Sequence, residues 1–153
     1  MQARLSLLVT TFLAAAALAG CADGKVDESN AYVAAVNDAQ TAFTATSERL
    51  QQEIEPGKTK ANQGAFDEFY GAVDDFVERL RAIEAPASVR ALHERLIATM
   101  ERFGDSLRAA GDKITSGTAA RILDGQEELA RASGSVAKGL NATINAINAA
   151  LQG

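Results

Sequence analysis

The stretch Phe66-Asp67-Glu68-Phe69-Tyr70-Gly71-Ala72-Val73-Asp74-Asp75-Phe76-Val77-Glu78-Arg79-Leu80-Arg81-Ala82-Ile83-Glu84-Ala85-Pro86 carries the clearest pattern in the chain. Its apolar residues (Phe66, Phe69, Tyr70, Val73, Phe76, Val77, Leu80, Ile83) recur at intervals of three and four, the spacing that lays one stripe along an α-helix. The carboxylate pairs Asp67-Glu68 and Asp74-Asp75 fall on the opposite face. The helix stops at Ala85-Pro86, because the residue before a proline avoids helical angles. Past Pro86, a continuing stripe would turn Ala87, Arg90, Ala91 and Glu94 inward, yet the next apolar set is Val89, Leu92, Leu96, Met100, Phe103 and Leu107. The phase breaks, so Pro86 marks a turn between two helices rather than a kink within one.

Two more helices flank this pair. Before it, Tyr32, Val33, Val36, Ala39, Phe43, Leu50 and Ile54 form a stripe that Asp27 or Ser29 can cap and that Glu55-Pro56-Gly57-Lys58 ends. After it, Gly111 closes the third helix and Gly111 to Gly117 reads as a polar connection. Thr115, Ser116 or Thr118 can then cap a fourth helix with the stripe Ile122, Leu129, Val136, Leu140, Ile144, Ile147 and Leu151. Gly125, Gly134 and Gly139 interrupt that helix without shifting its phase, so one weakened helix is expected there. The composition agrees: 47% of residues are apolar, with two prolines, no tryptophan and eight other aromatic residues among 153. These readings predict an all-α fold, an up-down-up-down four-helix bundle over residues 29–153, with both its ends at one end of the bundle.

The N-terminus carries an address. Met1-Gln2-Ala3-Arg4 is cationic, and Leu5 to Ala19 is apolar except for Ser6, Thr10 and Thr11. This is the layout of a secretory signal, too short for a membrane span of about 20 residues. It ends in Leu18-Ala19-Gly20-Cys21, which resembles the lipobox of bacterial lipoproteins at all four positions. The resemblance implies a signal peptide over residues 1–20, cleavage before Cys21, diacylglycerol on the Cys21 thiol, and often a further acyl group, such as palmitate, on the new amino terminus. It also implies attachment to the extracytoplasmic face of a cell membrane. Residues 21–28 then form a lipidated tether, short enough to hold the folded part near the bilayer. The plainer reading is an ordinary cut after Ala17-Leu18-Ala19 that leaves Cys21, the one cysteine, as a free thiol.

Charge and motif content narrow the function. Removing residues 1–20, of which Arg4 alone is charged, leaves 14 basic and 20 acidic residues, a net charge of −6. An acidic chain without a basic, aromatic-bearing cluster is a poor partner for nucleic acid. His93, the single histidine, falls in the core register of the third helix. A zinc site or a bundle di-iron site needs more ligands, and Arg90 stands where a Glu-x-x-His motif needs its glutamate. His93 therefore reads as a hydrogen-bonded core residue. The carboxylate pairs, including Glu127-Glu128, read as solvated faces with Asp75–Arg79 and Glu127–Arg131 pairs one turn apart. Asn141, Asn145 and Asn148 form a polar strip on the last helix. No hydrolase or phosphate-loop signature is present. No catalytic, metal-binding or cofactor-binding residue is expected.

Leu80-x-x-Ile83-x-x-Pro86 followed by Leu92-His93-x-x-Leu96 is similar to a segment of uncharacterised secreted helical proteins and lipoproteins of high-GC bacteria. It covers 17 residues and implies helix packing, not an activity. The resulting expectation is a monomeric, non-enzymatic, lipid-anchored bundle with a binding or structural role, meeting the membrane through lipid on Cys21 and an envelope protein as partner. The rival readings are a small-ligand or metal-sensing bundle using His93 with Met100, and an envelope enzyme whose site has no recognised motif.

Overall fold

The computed structural model describes the backbone of residues 24–53 and 59–152 and the side chains of 26–50 and 63–152. Four helices account for nearly all of it: α1 (Gly24–Glu53), α2 (Thr59–Ala82), α3 (Arg90–Ser116) and α4 (Ala119–Gln152), with no strand among the described residues. The fold is all-α, a four-helix bundle. Helices pack in chain order, α1 on α2, α2 on α3 and α3 on α4. Phe43 of α1 stacks on Phe76 and Phe69 of α2, with ring centroids 4.9 and 6.3 Å apart. The end of α3 meets the start of α2 where Gly111 faces Phe66 and Tyr70, and the start of α4 where Gly125 faces Ala110 and Ile114. Tyr32, Leu80 and His93 come together at the opposite end. Consecutive helices are thus antiparallel, and the start of α1 and the end of α4 share one end of the bundle.

Where boundaries differ from the sequence reading, tertiary packing is the reason. The third helix does not stop at Gly111; it runs on to Ser116 because Ile114 has a core position to fill and is 7% exposed. Gly111 is a contact site instead, since a β-carbon there would stand 1.8 Å from the Tyr70 hydroxyl. Thr115 and Ser116 are not caps: their hydroxyls bond back to the carbonyls of Gly111 and Asp112, and Thr118 supplies the carbonyl that receives the Ile122 N–H. Likewise α1 begins at Gly24, ahead of Asp27 and Ser29, so much of the expected tether is helix. The turn at Pro86 is present, with α2 ending at Ala82 and the Val89 N–H bonded to the Pro86 carbonyl at 3.0 Å. The Glu55-Pro56-Gly57-Lys58 connection and Ile54 lie outside the described residues, apart from the bounds of the helices on either side.

The fourth helix is continuous through its three glycines. Gly125 is seated on α3, where a β-carbon would come within 2.8 Å of the Ala110 carbonyl oxygen, and Gly139 lies against the Thr99 methyl. Gly134 faces open space. Its substitution tests this distinction: Gly134→Ala should stabilise the fold by about 1 kcal/mol by helix propensity, whereas Gly125→Ala should cost about 1–3 kcal/mol by overpacking. Thermal denaturation followed by circular dichroism reads both, with opposite signs expected.

Ion pairs fasten neighbouring helices at the surface. Arg49–Glu68 joins α1 to α2, Asp74–Arg108 and Arg81–Glu101 join α2 to α3, and Lys113 bridges to both Asp124 and Glu128 of α4, at 2.8 Å each. Such exposed pairs are individually weak, but their placement is informative. None of the described pairs joins α1 to α4.

Candidate functional site

Two internal features of the bundle bear on function: a buried histidine at one end and a cavity along the α1–α4 seam. His93 is 5% exposed. Its Nε2 lies 2.9 Å from the Leu80 carbonyl oxygen and its Nδ1 lies 3.1 Å from the Tyr32 hydroxyl. A carbonyl oxygen can only accept, so Nε2 carries the hydrogen and donates it; Nδ1 then accepts from the Tyr32 hydroxyl. Leu80 belongs to the last turn of α2, whose carbonyls have no partner within the helix. The Leu80 carbonyl accepts both the Ile83 N–H just past the helix and the imidazole from α3, while the Tyr32 ring meets the imidazole edge-on at 5.5 Å from α1. One side chain thereby ties three helices, and both its nitrogens are committed to protein atoms.

Burial of Tyr32 pushes its pKa up to about 12. An unfolded tyrosine ionises near pH 10, so between these values the unfolded chain binds fewer protons than the folded one. The Tyr32 contribution is therefore complete below pH 10 and is lost as pH rises toward 12. Tyr70, also raised by burial first and then by Asp112 and Asp67, adds in the same direction. Urea midpoints measured from pH 8 to 11 should fall above pH 10, and Tyr32→Phe should flatten that fall.

The cavity has a volume of about 40 Å³ and draws its walls from all four helices. Phe43, Phe76, Met100, Phe103, Leu140 and Ile144 make an apolar floor, and Gln40, Thr44 and Glu48 of α1 form a polar edge where it opens. Its origin is visible at Ser47. This residue is four positions after Phe43 and three before Leu50, in the core register of α1, and is 4% exposed. Every other register position from Tyr32 to Leu50 holds an apolar side chain, and Ser47 leaves the space that a leucine would fill. Its hydroxyl turns back to the Phe43 carbonyl at 2.8 Å, which satisfies the group and leaves the cavity wall apolar. Met100 lines the cavity, whereas His93 does not.

The remaining sequence candidates do not meet in a cleft. Asp67, Glu68, Asp74, Asp75 and Glu127 are exposed and Glu128 is half-buried. Glu68, Asp74 and Glu128 pair with cations on neighbouring helices, and Glu127 pairs with Arg131 at 3.5 Å one turn away. The described pairs do not include Asp75–Arg79. Asn141 and Asn145 are exposed and Asn148 is half-buried. Among the described residues no three of the metal-ligating types gather as a metal site would need. Cys21 lies outside the described residues.

The partnership of Tyr32 with His93 and the gap at Ser47 escaped sequence reading. Tyr32 sits 61 positions from His93 and was legible merely as a stripe residue. Ser47 left a signal, the single polar residue in register between Phe43 and Leu50. No family model matches the chain, and no curated protein or solved structure is similar to it.

Proposed function

We propose that this chain is a lipid-anchored lipoprotein of the bacterial cell envelope whose bundle works by binding, without chemistry of its own. The observation that carries the reading is Leu18-Ala19-Gly20-Cys21 at the end of a cationic and then apolar leader. In this reading the Cys21 thiol takes the diacylglycerol and Cys21 becomes the first residue. Support comes from α1, which begins at Gly24 and so leaves little slack between lipid and bundle. None of the described helices is long and apolar enough to cross a membrane. The non-enzymatic reading is supported by the surface placement of the carboxylate pairs and by the protein partners on both nitrogens of His93. The apolar cavity supports a binding role.

Intact-mass analysis of the chain purified from bacterial membranes tests the anchor. A mature protein beginning at Cys21 and carrying a diacylglyceryl mass is expected. A mature chain that begins elsewhere, or that carries Cys21 as a free thiol, overturns the reading.

A further inference from the structure

We propose that a groove between α3 and α4 binds a phosphate monoester of a small hydroxylated molecule, held by Arg95 and Arg102. The inference deepens the binding role and rests on it, but it is independent of the lipid anchor and of the cavity on the α1–α4 seam. The groove has a volume of about 340 Å³, and small-molecule sites run from roughly 300 to 1,000 Å³. Its middle is at Gly139, where α4 has no side chain to set against α3: a β-carbon there would lie 3.1 Å from the Thr99 methyl. Ala132 and Ala142 keep the α4 wall low on either side, and the buried Phe103 and Val136 form the floor.

Charge is the first argument. The chain is acidic overall, yet the residues lining this groove include two arginines and no carboxylate. The described ion pairs occupy Arg49, Arg81, Arg108, Lys113 and Arg131, whereas Arg95 and Arg102 have no acidic partner among the described residues. Arg95 stands four residues before Thr99 and Arg102 three after it, the spacings that make neighbours on one helix face. The Arg102 Nη2 already reaches back to the Thr99 hydroxyl, at 3.3 Å, so both guanidinium groups are placed to close on one ligand.

A hydroxyl on the facing helix is the second argument. Thr143 is 3% exposed and lines the groove, and its hydroxyl has no hydrogen bond among the described residues. No buried side-chain polar atom of the described residues lacks a partner, so this hydroxyl opens onto the groove rather than into the core. The chemistry then selects the ligand. A phosphate monoester carries a charge of about −1.5 to −2 near pH 7 and three acceptor oxygens, which suits two guanidinium forks and a hydroxyl together. A carboxylate has one charge and two oxygens, and a single fork satisfies it.

Isothermal titration calorimetry on the full chain in detergent tests the proposal, with glycerol 3-phosphate as the probe at neutral pH. Saturable binding to one site per chain is expected, tighter than about 1 mM. Arg95→Gln and Arg102→Gln should each weaken it at least about tenfold, the scale of one lost charge-assisted hydrogen bond. Thr143→Val, which keeps the shape and removes the hydroxyl, should weaken it several-fold with the fold intact by circular dichroism. Arg79→Gln, on α2 and outside the groove, should change nothing. Glycerol and glycerate, which share the body of the probe without its phosphate, should bind at least about tenfold more weakly. Displacement of the probe by phosphatidic acid in phosphatidylcholine vesicles supports the site and assigns its phosphate to a lipid headgroup; displacement by inorganic phosphate alone supports it and assigns a soluble ligand.

Absence of saturable binding overturns the proposal, as do unchanged affinity in the folded arginine variants and glycerate binding as tightly as glycerol 3-phosphate. Intact mass of the same sample keeps the two readings apart. An unlipidated chain that binds the probe loses the anchor and keeps the groove, whereas a lipidated chain that does not bind loses the groove alone.

Discussion

On the lipoprotein reading proposed above, replacing Cys21 by serine should release the protein from the membrane and abolish lipid labelling. The expectation follows from what the lipid would contribute. Lipid chains contribute about 0.8 kcal/mol per buried CH₂, so two or three of them hold a protein that one chain holds marginally. The rest of the mature chain carries a net charge of −6, which anionic headgroups repel, and no described helix is able to span. The variant keeps Ala17-Leu18-Ala19, a cleavage site that an ordinary signal peptidase can use. Metabolic labelling with an alkyne fatty acid, followed by fractionation, should find the variant soluble and unlabelled. Label incorporated at the wild-type level would refute lipidation at Cys21.

His93→Leu should destabilise the bundle by about 2–4 kcal/mol, because it orphans a buried hydroxyl and removes one partner of a helix-terminal carbonyl. The two losses are unequal. The Leu80 carbonyl still accepts the Ile83 N–H at 3.0 Å, while the Tyr32 hydroxyl, on a residue 2% exposed, has no described alternative. Adding Tyr32→Phe should therefore recover much of the loss, since removing both members of a buried pair costs less than removing one. His93→Gln, which keeps a donor and an acceptor, should lower the melting temperature modestly and leave metal content unchanged. Denaturant titration of the wild type, His93→Leu, Tyr32→Phe and the double variant forms the cycle; additive losses in the double variant would show that the histidine and tyrosine do not act as a pair. Stoichiometric metal in the purified wild type, lost with His93, would instead assign the imidazole to a ligand role.

The helices were legible because their signal is local. A stripe at three-to-four spacing states which face of a segment must be buried, whatever it is buried against, and the stripes of α2 and α3 are core almost residue for residue. The core phase of His93 was legible for the same reason. Roles that depend on a neighbour were not. Gly111 has the sequence look of a helix stop, and its meaning changes only when Tyr70 of another helix is set against it. Gly125 and Gly139 look like weak points and are contact sites, while Gly134, chemically identical, has nothing near it. The polar start of α1 read as tether because Gly24 to Glu28 shows no stripe, yet Lys, Val, Asp and Glu are all tolerated in a helix that packing has already begun downstream. Cys21 is the opposite case, a residue whose reading rests on four consecutive letters and no fold at all.

The knot at Tyr32, Leu80 and His93 lies at the end of the bundle from which α1 leads back toward Cys21. If lipid on Cys21 holds the chain, as proposed above, any drag on its body would arrive as tension along α1. That load would enter at Gly24 and reach Tyr32 after about two turns of helix, before reaching Val36 and the residues of the seam. The imidazole passes it to α2 through a carbonyl and to α3 through its own backbone, so three helices share the pull at the first point of attachment. Beyond that point α1 is loaded in shear against α2, with Phe43 stacked between Phe69 and Phe76 resisting as one block rather than contact by contact. On the lipoprotein reading, three helices and one aromatic stack would carry the load that enters through the leading helix.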